Sequence, residues 1–151
     1  MPLPAVPLAA FSPQEVADLL AGAGMGMAKV AEVNQYPGPR HVLELAEPLA
    51  LSPAQRTGAE ALMADMQTRA IPLGKALLAR EAALEAAFAG GTIDAATLRR
   101  LTAQIAALQG ELRAVHLATH LDMKRLLTPQ QVAAYHRLRG YSSARSTRHG
   151  H

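Results

Sequence analysis

The hydrophobic pattern of this chain centres on two long runs of helical periodicity between Pro53 and Leu127. Within each run, apolar residues recur at steps of three and four, with one double step of seven from Leu77 to Leu84. The first run comprises Leu62, Met66, Ala70, Leu73, Leu77, Leu84 and Phe88, and the second comprises Leu98, Leu101, Ile105, Leu108, Leu112 and Val115. Such steps place apolar side chains along one seam of a helix that packs against another helix. The pattern therefore predicts two long helices that pack along each other.

The residues between the two runs predict a turn. Gly90 and Gly91 end the first run, and glycine readily adopts the left-handed conformation that a helix C-terminus needs. Thr92 or Asp94 can cap the second helix. Within the first helix, Pro72 removes a backbone hydrogen bond and predicts a bend. The predicted fold class is all-α, a long antiparallel helical hairpin with short flanking helices.

Three Ser/Thr-Pro motifs predict where helices begin. Ser12, Ser52 and Thr128 each precede a proline and are followed three residues later by Glu or Gln, the pattern of a capping box. The predicted flanking helices are a short helix from Pro13 to about Leu20, a turn or two within 27–34, a helix from His41 to Leu49, and a last helix from Pro129 to about Arg139.

These elements predict three parts of the chain. Residues 1–35 are expected to be an N-terminal extension with one short helix, residues 36–141 the helical hairpin domain, and residues 142–151 a disordered tail without apolar residues. Half of the residues are hydrophobic, but only five are aromatic. Small side chains predict a thin core, so we expect the chain to complete it as a homodimer.

Composition narrows the function classes. The chain has no cysteine, which excludes disulfides, thiolate metal sites and a cysteine nucleophile. No apolar run approaches the roughly 20 residues of a transmembrane segment, and the N-terminus does not read as a signal peptide. Basic residues are in excess in the second half, but without interleaved aromatics or a recognition helix, so nucleic-acid binding is not expected. No catalytic motif is present, so we do not expect an enzyme.

The segment from His116 to Met123 concentrates metal-ligand side chains. His116, His120 and Met123 are spaced by four and three residues, so they share one helix face at the edge of the hairpin seam. Two imidazoles at this spacing can chelate zinc, nickel, cobalt or copper. His41 is the best further candidate ligand, and Asp122 and Glu44 are weaker ones. The alternative is that both histidines are polar edge residues satisfied by water or by backbone groups.

Two of the capping motifs also suggest a family. Leu51, Ser52, Pro53 and Gln55 form one motif, and Leu127, Thr128, Pro129 and Gln131 form the other. They resemble the paired Leu-Thr-x-x-Gln motifs of the Spy/CpxP family of periplasmic stress chaperones and heavy-metal sensors, and they flank a helical hairpin as in that family. The likeness covers roughly residues 36–141. Ser52 replaces the family's threonine, which keeps the capping chemistry.

The resemblance implies a curved four-helix, homodimeric architecture and a periplasmic location, with the cytoplasm as the alternative because no signal peptide is recognised. The leading implied function is ATP-independent holding of unfolding proteins, with no required cofactor. Acidic clients would meet four arginines, Arg99, Arg100, Arg113 and Arg125. The alternative is a heavy-metal sensor or metal-binding resistance protein. For it, His41, His116 and Met123 resemble the ligand layout of the metal-sensing branch, although Leu45 stands where that branch has a second histidine. A third alternative is a dimeric adaptor for a signalling protein.

Overall fold

The computed structural model describes residues 8–141, and the regular structure in this part of the chain is entirely helical, without a strand. The helices are α1 (Pro13–Ala21), α2 (Lys29–Glu32), α3 (Pro39–Glu44), α4 (Pro53–Ala89), α5 (Ala95–Leu126) and α6 (Pro129–Leu138). The predicted all-α hairpin is confirmed, with α4 and α5 as its arms. The predictions for the first seven residues and for the tail at 142–151 lie outside the described residues.

Local capping chemistry sets the helix starts as predicted. The Ser52 hydroxyl accepts the Gln55 N–H at 3.1 Å, and the Gln55 side chain accepts the Ser52 N–H at 3.0 Å. The same reciprocal pair forms at the start of α1 and of α6. At α5, the Thr97 N–H donates to the Asp94 carboxylate at 2.7 Å. Asp94, rather than Thr92, is therefore the cap of the second arm.

The turn between the arms follows the glycine prediction. Helix α4 ends at Ala89, and Gly91 adopts a left-handed φ of 66°. Helix α4 also continues through Pro72 without interruption, so the proline does not divide the first arm into two helices.

The predicted helix from His41 to Leu49 is wrong in its bounds. Helix α3 begins at Pro39, where proline suits the first turn, and ends at Glu44. A helix continuing past that point would need an N–H at position 48 to donate to the Glu44 carbonyl. Pro48 has no N–H, and the chain instead passes through turns to Ala50, which has a positive φ of 51°.

The chain divides into two compact units, each containing part of both arms. The first comprises Gln67–Val115 and the described part of Met1–Met25. Its buried seam residues include Leu77, Leu101, Ile105 and Leu112, as the periodicity predicted. Phe88 and Leu98 depart from the seam prediction, since they are 58% and 38% exposed beside the turn.

Helix α1 packs closely on α4 within this first unit. A β-carbon at Gly74 would lie 2.6 Å from the carbonyl oxygen of Leu19. A side chain at position 74 would therefore collide with the backbone of α1, and the contact depends on glycine.

The second unit comprises Gly26–Met66 and the described part of His116–His151. Its core joins residues of α3, α4, α5 and α6 with the turns that follow α3 and α5. The members are Val42, Leu49, Ala59, Met123, Leu127, Val132 and Tyr135. This core fixes the α5 segment that carries the predicted metal ligands.

The two capping motifs meet in this second unit. The Gln55 side-chain amide donates to the Gln131 side-chain oxygen at 2.7 Å, and the Gln131 amide donates back at 2.9 Å. Gln55 also donates to the Leu126 carbonyl at 2.9 Å, and Gln131 to the Leu49 carbonyl at 3.1 Å. Each glutamine therefore caps its own helix and also bonds the end of another segment.

Candidate metal centre

His116 is the most unusual polar side chain of the candidate site. It is 2% exposed, and within residues 8–141 its Nε2 atom has no hydrogen-bond partner. Burial, with a smaller contribution from the nearby His120, lowers the pKa of its imidazole below the ordinary value. A neutral imidazole with a free ring nitrogen is the form that binds a metal ion.

His120 lies one helical turn further along α5 and has a defined ring orientation. Its Nδ1 atom lies 2.8 Å from the Tyr36 carbonyl oxygen. A carbonyl only accepts, so Nδ1 carries the proton in the neutral ring and Nε2 keeps its lone pair. A β-carbon at Gly38 would lie 2.8 Å from this Nε2 atom. Any side chain at position 38 would therefore crowd the available nitrogen.

Met123 is completely buried and belongs to the core of the second unit. From His116 to Met123, α5 rises by roughly 10 Å, whereas His116 and His120 are a single turn apart. His116 and His120 are therefore the closer pair of candidate ligands in this segment, and the Met123 thioether is a core side chain. The site is also more buried than the seam-edge position that the sequence predicted.

The structure places His41 in a different environment. Its Nδ1 atom lies 3.0 Å from a Glu44 carboxylate oxygen, and its side chain is 33% exposed. This hydrogen bond is the main reason that the pKa of Glu44 lies below its ordinary value. In the described part of the chain, no group of three or more histidines and carboxylates is close enough to hold a metal ion. His41 is therefore not assembled with His116 and His120 into a three-residue group.

The pair offers two imidazole nitrogens, one buried without a hydrogen-bond partner in the described residues and one that a β-carbon at Gly38 would crowd. By donor type these residues suit a transition-metal ion, which would need further donors to complete its coordination.

Glu32 is a buried acid near the site that the sequence did not predict. This carboxylate is 8% exposed and lies on the four-residue helix α2. The Tyr135 hydroxyl donates to its two oxygens at 2.8 and 2.7 Å, and its Oε2 atom lies 3.8 Å from Nδ1 of His120. Burial and the hydrogen bond to Glu32 raise the pKa of Tyr135 above its ordinary value. No motif surrounds Glu32, so only the tertiary contacts identify it.

The structure exposes all four arginines of the predicted client surface, Arg99, Arg100, Arg113 and Arg125. Arg125 lies 3.4 Å from the Asp122 carboxylate, and an exposed pair of this kind adds little stability. Asp122 therefore forms an exposed ion pair with Arg125 in this structure. The client surface itself stays a prediction.

Comparison with known proteins gives one match. Residues 19–134 match the sequence model of a family described as heavy-metal resistance. The matched range covers well over half of the chain and includes the histidine pair and both capping motifs. No curated protein and no solved structure match the chain. Among the described helices, none has the length and apolar character needed to cross a membrane.

Proposed function

Because the chain belongs to the heavy-metal resistance family, a family of Spy/CpxP-like helical proteins, we propose that it binds a transition-metal ion through His116 and His120. The protein would act as a non-enzymatic sensor or binding protein in resistance. We further propose that it works in the periplasm as a homodimer.

The observation that carries this proposal is the buried Nε2 atom of His116 without a hydrogen-bond partner. Burying a polar nitrogen unpaired costs about 1–3 kcal/mol. A bound ion would offset this cost, since the lone pair would then have a partner. The alternative of an edge histidine satisfied by a backbone group describes His120, which has the Tyr36 carbonyl. The described residues provide no such group for Nε2 of His116, which favours the proposal.

The donor set restricts the ion. Imidazole suits zinc, copper and nickel, and among divalent ions copper binds most tightly to a given nitrogen site. When bound, the ion would supply a positive charge and a fixed geometry between two turns of α5. The protein residues would supply neutral imidazoles, held in place by the core around Met123.

Thermal melting of chelator-treated full-length protein tests the proposal, with zinc, nickel, cobalt or copper added separately. His149 and His151 should first be replaced by alanine, because tail histidines can bind metal nonspecifically. An ion at one hundred times its dissociation constant adds about 2.7 kcal/mol to the free energy of unfolding. We expect the midpoint to rise by several degrees.

Two variants locate the site. His116→Asn should abolish the metal-induced shift, whereas His41→Ala should retain it, because His41 pairs with Glu44 and forms no three-residue group with His116 and His120 in the described residues. Absence of any shift in the parent protein contradicts the proposal, as does a shift that depends on His41 and not on His116.

Holding of unfolding proteins without ATP is a second proposed function, favoured by exposed apolar side chains. The large ones are Val30, Phe88, Leu98, Leu121, Leu126 and Leu138. In this proposal they contact clients weakly, and the exposed arginines attract acidic ones. Suppression of client aggregation in the absence of ATP would support it. A dimeric adaptor would show neither this activity nor metal binding.

A further inference from the structure

Glu32 is a buried carboxylate that the proposed function does not use. A carboxylate is rarely buried unless its oxygens are paired. Besides the Tyr135 hydroxyl, Glu32 accepts the Gly38 N–H at 3.1 Å and the Tyr141 hydroxyl at 3.3 Å. The Arg139 side chain lies 3.7 Å away. Glu32 therefore contacts two other segments of the second unit, the loop that contains Gly38 and the stretch from Tyr135 to Tyr141.

One of these contacts leads directly to the candidate metal centre. The bond from Gly38 to Glu32 fixes the end of the loop 36–38, and this loop makes two contacts with His120. The Tyr36 carbonyl accepts from Nδ1, and the Gly38 backbone lies against the edge of the ring. The Lys124 ammonium, 3.9 Å from the Tyr36 ring centroid, holds the same loop from α5.

We propose that Glu32 is a positioning residue for His120, holding the loop 36–38 so that Nδ1 is protonated and Nε2 is presented to the metal ion. This inference rests on the proposed function. A metal-ligating histidine typically donates its other ring N–H to a carbonyl or carboxylate, which fixes the tautomer and raises the basicity of the ligating nitrogen. Here the carbonyl is the direct acceptor, and the Glu32 charge lies 3.8 Å from the same nitrogen.

Gly38 contributes to the same arrangement by being small. Its φ of −97° is accessible to any residue, so its backbone conformation does not require glycine. The requirement is spatial, because a β-carbon would lie 2.7 Å from Cε1 and 2.8 Å from Nε2 of His120. Gly38→Ala should therefore crowd Nε2 of His120 and weaken metal binding.

The first measurement needs no metal. Nitrogen-15 chemical shifts of the imidazoles in the full-length, metal-free protein report the tautomer of each neutral histidine. We expect the Nδ1-protonated tautomer at His120, with a larger share of the other tautomer in Glu32→Gln. Finding Nε2 protonated in the parent protein overturns the inference, whether or not any variant folds.

The second measurement is calorimetric titration of zinc chloride into the same proteins, each also carrying His149→Ala and His151→Ala so that the tail histidines do not bind zinc. Loss of an orienting partner typically weakens metal affinity 10–100-fold, and we expect a loss in this range for Glu32→Gln and for Gly38→Ala. Glu47→Gln is the matched control, since it removes an exposed carboxylate from the same unit, and it should bind zinc as the parent does.

The outcomes separate the two proposals. If the parent binds zinc through His116 and Glu32→Gln binds equally well, the positioning role is wrong and the proposed function stands. If the parent does not bind zinc, the proposal that His116 and His120 bind zinc is wrong. The tautomer measurement still decides whether Glu32 orients the His120 ring. A purely structural Glu32 would change the melting midpoint of the metal-free protein without changing the tautomer.

Discussion

At the scale of single residues, the second unit buries two polar side chains, Glu32 with hydrogen-bond partners and His116 with an unpaired Nε2 atom. Glu32 is surrounded by donors, including Tyr135 and the Gly38 N–H, so its burial is compensated. The Nε2 atom of His116 has no such partner in the described residues. This difference separates a carboxylate whose oxygens are paired from a candidate metal ligand.

The lowered pKa of His116 predicts how stability depends on pH. Because burial depresses its pKa below the ordinary 6.5, the unfolded state binds a proton more readily than the folded state. This contribution to the free energy of unfolding is complete above about pH 6.5 and decreases as the pH falls below it. We expect the melting midpoint of metal-free protein to fall between pH 7 and pH 5, and less steeply in His116→Asn. Equal slopes would contradict the assignment.

The Tyr135 hydroxyl should be a major partner of Glu32. Tyr135→Phe removes a donor that lies 2.8 and 2.7 Å from the two carboxylate oxygens. A hydrogen bond to a charged group contributes about 1.5–3 kcal/mol, so urea denaturation should show a loss of this order. Tyr141→Phe is the control, because its hydroxyl lies further away, at 3.3 Å, and should cost less. A larger loss in Tyr141→Phe would reverse this ranking.

At the scale of elements, the two motif glutamines hold helix ends together. Gln55 and Gln131 exchange two side-chain hydrogen bonds, and each also bonds a carbonyl of another segment. Residues that share hydrogen bonds show coupling energies of about 0.5–3 kcal/mol in double-mutant cycles. A cycle of Gln55→Ala and Gln131→Ala should give a value in this range. Gln104→Ala, at an exposed contact with Arg80, is the control, and its change in the free energy of unfolding should add to that of either motif variant. If the changes caused by Gln55→Ala and Gln131→Ala also add, the two glutamines are not coupled.

The contact of α1 with α4 gives a second prediction for elements. Alanine normally stabilises a helix by about 1 kcal/mol relative to glycine. Gly74→Ala should nevertheless lower the melting midpoint, because its β-carbon would lie 2.6 Å from the Leu19 carbonyl oxygen. Gly110→Ala is the matched control in α5, where a β-carbon meets no atom within 4 Å, and it should raise the midpoint. Stabilisation by both variants would show that α1 moves aside.

The elements also show which features the sequence could predict. Capping boxes at Ser12, Ser52 and Thr128 depend on residues three apart, so their chemistry is local and the sequence predicts them. The end of α3 was also local, since it follows from the N–H that Pro48 lacks, but the apolar residues up to Leu49 suggested a longer helix. The environment of His120 could not be predicted, because Glu32 and the Tyr36 carbonyl reach it only through tertiary packing.

At the scale of the whole molecule, the two proposed functions use different features. Metal binding depends on a buried pair in the second unit, whereas client holding depends on exposed apolar and basic side chains. Single exposed apolar residues are common on protein surfaces. Phe88 and Leu98 are more informative, because they come from both arms of the hairpin and flank the same turn.

Client holding should therefore respond to the turn region and not to the histidine pair. We expect Phe88→Ser combined with Leu98→Ser to reduce the suppression of client aggregation severalfold, because two exposed apolar contacts are lost. His116→Asn should suppress aggregation as the parent does, as should Ala103→Ser, a control at an exposed position of α5. Light scattering of a heat-denatured client, without ATP and with chelator, measures all four proteins. If His116→Asn no longer suppresses aggregation, both activities share the metal centre. If the double variant still suppresses aggregation fully, the clients do not bind at the turn, and this prediction is wrong.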